Sequence, residues 1–251
     1  MEGDPNVACH ADAYFAVIGD IHAHWERLER VLARIAQEDV DAILLVGDLG
    51  SHDVGLKFLR TKRRDERYLE SVERVLSLTR ALGSPVLWVP GNHDLPEIAG
   101  EGKVDFGSAE VAGVRVAGIG GGGPARFGFS YEWGEDEVRA RDVPECDVLL
   151  CHAPPYGTPI DVLAHSGRHV GSRALLERAE RHDGVYVCGH IHESPGAIQI
   201  CRCLCLNVGG LGEPYGAAQV GFVRRSGELP GLWEVEHEDL EWGTSRNWPR
   251  E

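Results

Sequence analysis

Two rhythms of apolar and polar positions alternate along the first part of the chain. The stretch "YFAVIGD" (14–20) is a β-branched and aromatic run of strand character, and "WERLERVLARIAQ" (25–37) then brings Leu28, Val31, Leu32 and Ile35 to one face at helical spacing. A second apolar strand, "DAILLVGD" (41–48), precedes a second amphipathic helix, "ERYLESVERVLSLTRAL" (66–82), and a third strand, "PVLWVPGNHD" (85–94), comes after it. This βαβαβ order predicts parallel strands joined by right-handed crossovers.

Beyond residue 104 the runs shorten and glycine divides them: "VDFGSAEVAGVRVAGIGGGG" predicts hairpin strands, with "GGGGP" (120–124) as a turn and loop. Buried-strand character returns in "DVLLCHAPP" and "GVYVCGHIH", with a helix, "SRALLERAERH", between them. The segments "AIQICRCLCLNVGG", "GAAQVGFVRR" and "LPGLWEVEHED" predict a closing antiparallel set. No linker, repeat or low-complexity tract interrupts the pattern. The expectation is one domain over 1–251 with a two-sheet core, its chemistry-bearing part at about 14–223 and a tail at 224–251.

Composition narrows the function classes. A net charge of -15 argues against a general nucleic-acid or anionic-membrane binder, because a polyanion is repelled over most of the surface. A small anionic substrate needs a locally positive site, which bound metal supplies. No apolar run approaches the ~20 residues of a membrane span, and "MEGDPNVACHADAYF" lacks the basic start and apolar stretch of a signal peptide. The expected location is the cytoplasm. The seven cysteines form no disulfide pattern, and Cys201, Cys203 and Cys205 in "ICRCLCLN" read as core thiols sharing one strand face.

The chemistry lies where apolar runs stop. Five of them end directly in polar residues of ligand type: "VIGDIHAH" (Asp20, His22), "LLVGDLG" (Asp48), "WVPGNHD" (Asn92, His93, Asp94), "LLCHAPP" (His152) and "VCGHIHE" (His190, His192). Taken singly, each is a turn aspartate or a satisfied loop histidine. Five such endings at equivalent strand termini predict convergence, since the carboxyl ends of parallel strands line one edge of a sheet. Two carboxylates, one asparagine and four histidines make seven N/O ligands, too many for one first-row ion and suited to two ions sharing a carboxylate. No cysteine joins the set, which argues against a thiolate structural zinc site.

The ordered series "GDIH", "GDLG", "GNHD", a histidine after a strand and "GHIH" resembles the calcineurin-like metallophosphoesterase superfamily. The resemblance spans roughly 15–192, and "NVGGLGEPYGAAQVGFV" resembles the segment after the last motif in small prokaryotic phosphohydrolases. It implies an α/β fold: a four-layer α-β-β-α sandwich of two mixed β-sheets flanked by helices. It also implies roles, with Asp20, His22 and His192 on one ion, Asn92, His152 and His190 on the other, and Asp48 bridging. His93 would contact the phosphate or leaving group, with Asp94 as its orienting partner. The ions would be two divalent or trivalent metals, Mn or Fe ahead of Zn, Ni or Mg.

The implied activity is hydrolysis of a small phosphate ester by a metal-bridging hydroxide, diesters ahead of monoesters. The GDxVDRG and GNHE motifs of the protein Ser/Thr phosphatases are replaced by "GDLGSHD" and "GNHD", and the tyrosine ligand of purple acid phosphatases is missing. The alternatives are a nuclease or a non-catalytic interaction scaffold. The partner expected is a small phosphorylated substrate, a nucleotide among the options, with nucleic acid disfavoured by the net charge and no membrane. For substrate contact the sequence offers His24, Tyr156, Arg168 and His169, together with a basic island of Lys57, Arg60, Lys62, Arg63, Arg64 and Arg67. That island reads equally as a solvated approach to a helix.

Overall fold

The computed structural model describes residues 12–226 and 232–249; the N-terminal segment read as lacking a signal peptide falls largely outside them. Strand β1 (Ala13–Ile18) opens the chain and leads into helix α1 (Trp25–Ile35). The helix buries the four apolar positions that the spacing predicted, Leu28, Val31, Leu32 and Ile35. Strand β2 (Ala42–Leu45), helix α2 (Lys62–Arg80) and strand β3 (Val86–Trp88) complete the parallel unit, with Phe15 beside Ala42 and Leu44 beside Leu87. Thr61 caps α2 by accepting from the Arg64 amide and so starts the helix earlier than its apolar pattern does.

A hairpin, β4 (Ser108–Val111) and β5 (Val114–Ile119), then begins a second sheet. Helix α3 (Glu135–Ala140), strand β6 (Val148–Cys151), helix α4 (Arg173–Ala179) and strand β7 (Val185–Cys188) come next, and β5, β6 and β7 run parallel. Strands β8 (Gly196–Ile200) and β9 (Cys203–Asn207) close that sheet, whereas β10 (Gln219–Arg225), β11 (Trp233–Asp239) and β12 (Thr244–Pro249) return to the first. The sheet orders are β12-β11-β10-β1-β2-β3 and β4-β5-β6-β7-β9-β8. The predicted closing set is therefore divided between the sheets, and the segment read as a tail supplies two strands of the first.

Alternation along β1 sorts its side chains into two cores. Phe15 and Val17 meet Val116, Val148, Leu150 and Val187 between the sheets, while Ala16 and Ile18 face the α1–α2 side with Leu28 and Val72. A third core seats Leu149, Tyr186, Cys203 and Cys205 with Val138 of α3 and Leu175 of α4. The result is the α-β-β-α order. Each fully buried aliphatic or aromatic side chain contributes about 1.5–3 kcal/mol. Cys201 departs from its expected place: it occupies the β8–β9 turn at φ 50° and is exposed, so only Cys203 and Cys205 share the buried face. No helix among the described residues is long and apolar enough to cross a membrane.

Candidate metal centre

The carboxyl ends of β1, β2 and β3 in one sheet meet those of β6 and β7 in the other. The chain turns sharply as it leaves these strands: Asp20 (φ 47°), His22 (46°), Asp48 (50°) and His190 (69°) all lie in the left-handed region. Such conformations cost of order 1–3 kcal/mol each and persist where surroundings over-determine them. Here the His22 amide donates to the Asp48 carbonyl at 2.8 Å and the His190 amide to Asp20 Oδ2 at 2.7 Å, tying separate strand ends together. The glycines before the ligand-type residues answer a packing need. A Cβ on Gly91 would overlap Asp48 Oδ1, and one on Gly189 would overlap Asp20 Oδ2.

Two groups of donors result. Atoms of Asp20, His22 and His192 lie within 4.8 Å of one another, as do atoms of Asp20, Asp48 and His152. His192 Nδ1 is 3.0 Å from the Pro214 carbonyl, which only accepts, so Nδ1 carries the proton to it and Nε2 faces Asp20 Oδ1 at 3.0 Å. His152 is fixed likewise: its Nδ1 donates to the Val46 carbonyl at 2.7 Å, leaving the Nε2 lone pair toward Asn92 Oδ1 at 2.8 Å. The Nε2 atom and the Asn92 side chain thus address one point, as two ligands of a single ion would. His22 Nδ1 is buried with no hydrogen-bond partner, a costly arrangement that a bound ion or its ligands would relieve. Asp48 stands between the groups, its Oδ2 3.5 Å from His22 Nε2 and 3.6 Å from His152 Nε2. His190 packs its ring on that of His152, centroids 4.8 Å apart. The all-N/O donor set fits hard to borderline divalent cations.

The electrostatics suit the same purpose. Burial pushes His22 and His190 down to about 3, so both imidazoles keep their lone pairs at neutral pH. Burial would raise Asp48, but the surrounding histidines, His152 first, hold it below the usual carboxylate range. For His192 burial acts downward and the Asp20 carboxylate overrides it, lifting the metal-free ring to about 9, so an ion at this point would have to displace the Nε2 proton.

His93 and Asp94 part company. The His93 amide donates to Asp48 Oδ1 at 2.8 Å, its ring meets that of His22 edge-on with centroids 5.3 Å apart, and its Nδ1 is buried without a partner. Asp94 does not orient it. The Asp94 carboxylate accepts from the amides of Leu49 (3.1 Å) and Gly91 (2.8 Å) and from the Tyr68 hydroxyl (2.8 Å), bracing the loops after β2 and β3 from behind. Phe129 instead packs on His93, centroids 4.3 Å apart. His52 was not singled out in the sequence, yet its ring stacks on that of His22 at 4.2 Å and 15°; its place four residues after Asp48 was the available signal.

Beside Asn92 and His190 a cleft of about 370 Å³ opens, lined by the expected Tyr156, Arg168 and His169, and also by Arg126, Phe129 and Arg173. Asp161, fully buried, holds His169 at 2.6 Å. His24 belongs elsewhere: it caps α1 by accepting from the Arg27 amide. Half of the basic island is ion-paired, Arg60 with Asp65 and Glu97, Arg67 with Asp53, and Lys62 with Glu66.

Solved structures with this architecture cover nearly the whole chain at low identity. YfcE, a phosphoesterase from E. coli, has a TM-score of 0.50 and 16% identity, covering 95% of this chain and 100% of its own. TT1561 of Thermus thermophilus reaches 0.55 at 15% identity, covering 96% and 100%. GAP50, described as the anchor in the inner membrane complex of Plasmodium, reaches 0.55 at 13%, covering 96% and 89%. These likenesses speak to the fold. No match is found among curated proteins. The family model for calcineurin-like phosphoesterases matches residues 13–194, the span that carries every strand end of the centre, and the chain belongs to that family.

Proposed function

We propose that the chain hydrolyses small phosphate esters with two metal ions, phosphodiesters ahead of monoesters. The observation that carries this reading is the position of Asp48, one carboxylate oxygen of which lies at nearly equal distance from an imidazole of each donor group. Asp20, His22 and His192 would hold one ion and Asn92, His152 and His190 the other, with Asp48 shared. When bound, the ions supply charge neutralisation at the phosphoryl oxygens and an activated water at neutral pH. Mn or Fe is the preferred occupant.

The protein's own part is positioning and proton transfer. His93, anchored through its amide to Asp48 and through its ring to Phe129, offers an uncommitted imidazole to protonate the departing oxygen. The cleft on the Asn92–His190 side gives room for a second ester arm, which supports the diester preference. Free cysteines, six among the described residues, suit a reducing compartment and support a cytoplasmic location. A scaffold role fits less well, because every ligand-type residue and His93 are in place. The test is a panel of phosphomono- and diesters run on metal-stripped protein reloaded with Mn, Fe, Zn, Ni or Mg in turn. Turnover with none of them would remove the proposal, and faster monoester turnover would remove the diester preference.

A further inference from the structure

The chain carries a charge of -15, and three of the six cations of the basic island, Arg60, Lys62 and Arg67, are paired with acids. The cleft beside Asn92 and His190 is different. Among the described residues the guanidinium groups of Arg126 and Arg168 have no hydrogen bond or ion pair, and that of Arg173 lies over the Tyr156 ring at 3.9 Å without an ion pair. The two carboxylates that line the same cleft are committed to backbone. Glu132 accepts from the four amides of Arg126, Phe127, Gly128 and Phe129, and Glu135 accepts from the amides of Arg173 and Ala174 and the Ser172 hydroxyl. Three cations and two carboxylates thus line one cleft, and none of the three guanidinium groups is ion-paired, so in an acidic chain the cleft keeps a small positive excess with its guanidinium donors free.

The walls between those cations are aromatic. Phe127, 70% exposed, and Phe129 line the cleft with ring centroids 5.8 Å apart, and Tyr156 with its stacked Arg173 adds a further flat face. An exposed phenylalanine and unpaired guanidinium groups are satisfied together by one kind of ligand, a planar ring joined to an anion. The volume of about 370 Å³ is within the range for small-molecule sites, ~300–1,000 Å³. Asn92 and His190 form the boundary between cleft and metal centre, so a group lying in the cleft is a substituent of the phosphoryl group at that centre.

We propose that this cleft is a substituent subsite for nucleotides that carry a phosphate beyond the scissile one, the base resting on Phe127, Phe129 and Tyr156 and the extra phosphate on Arg126, Arg168 and Arg173. The proposal rests on the phosphoesterase reading and adds its substrate class. Charge on the substituent, and not only its size, then selects the substrate.

The experiment is titration calorimetry on metal-free protein with AMP, adenosine and inorganic phosphate. With the ions removed, AMP still presents one base and one phosphate, the two groups assigned to the cleft. AMP is expected to bind at least about tenfold more tightly than adenosine or phosphate, with an advantage that shrinks as salt rises. The double variant Arg126→Gln/Arg168→Gln should lose that advantage, and Phe127→Ala should weaken AMP and adenosine alike; circular dichroism confirms that each variant is folded. Equal affinity for AMP and adenosine, undetectable binding of AMP, or wild-type affinity in the double variant would overturn the charge subsite. Phosphate binding as well as AMP would overturn the nucleotide. Turnover of bis(p-nitrophenyl) phosphate by the metal-loaded protein is measured alongside. If it persists while AMP binding shows no arginine dependence, the subsite fails and the phosphoesterase reading stands; arginine-dependent AMP binding without turnover fails the reading instead.

Discussion

Asp48 Oδ2 lies 3.5 Å from His22 Nε2, and this contact joins the end of β2 to the end of β1 at the centre of the donor cluster. The same oxygen reaches His152 of the other sheet at 3.6 Å. In the proposed two-ion reading a carboxylate so placed would serve both ions, whereas His22 would serve one. Asp48→Ala should therefore remove both ions and abolish turnover, while His22→Ala should leave about one ion bound. Elemental analysis of metal-saturated protein measures this. Two retained ions in Asp48→Ala would show that the carboxylate is not shared.

Asp94 is a brace, and its loss should be read in stability. Asp94→Ala strips the acceptor from the buried amides of Leu49 and Gly91 and from the Tyr68 hydroxyl. Unsatisfied buried donors cost about 1–3 kcal/mol each. The variant should melt several degrees lower and lose metal as the loop bearing Asp48 slackens. Unchanged melting with slower turnover of poor leaving groups would return Asp94 to the service of His93.

Much of this was legible because strand ends announce themselves. Apolar runs stopping at Gly-Asp, Gly-Asn-His or Gly-His mark where parallel strands leave the core, and alternation along β1 sorts its residues between two cores without reference to any partner. The role of Asp94 was hidden because its partners are backbone amides and a tyrosine that no side-chain pattern connects to it. Strand β12 was missed for a similar reason: "TSRNWP" is an edge strand with mostly exposed polar side chains, so its pairing to β11 leaves no apolar signature. Cys201 obeys the period-two pattern in sequence but not in space, because the hairpin turns there.

The basic island should prove bland. Arg63 on the first turn of α2 is exposed, its neighbours Arg60 and Arg67 are paired, and none of the three lines the cleft. Arg63→Ala should leave KM for a multiply charged substrate within about twofold even at low ionic strength, where steering by exposed charge is strongest. A larger rise in KM that fades with salt would restore the island as an anion guide.

Metal-free protein should be most stable near pH 6.5. His22 and His190 are held at about 3 when folded, so as pH falls below the unfolded value near 6.5 the unfolded chain takes up protons that the folded one refuses, and stability drops by ~1.4 kcal/mol per pH unit for each ring. His192 acts on the other side. Raised to about 9, it contributes stability below pH 6.5 that is lost as pH rises from 6.5 through 9. Melting curves of chelator-treated protein across this range should show both limbs, and His192→Gln should flatten the alkaline one. An alkaline limb unchanged in that variant would assign it to another group.

His93 offers the most discriminating test, because the proposed reading places it in the centre without assigning it to an ion. Its amide is held by Asp48 and its ring by Phe129, so replacing the side chain leaves the donor groups intact. His93→Ala should keep both ions yet lose ~10²–10⁴ in kcat on a diester whose leaving group is a poor alkoxide, the range typical for removing a general acid. On a p-nitrophenyl ester the loss should be smaller, since p-nitrophenolate departs without protonation. Equal losses on the two esters would identify His93 as an electrostatic contact to the phosphoryl group, and loss of an ion would make it a ligand. The comparison separates proton donation from binding because only donation depends on the basicity of the departing oxygen.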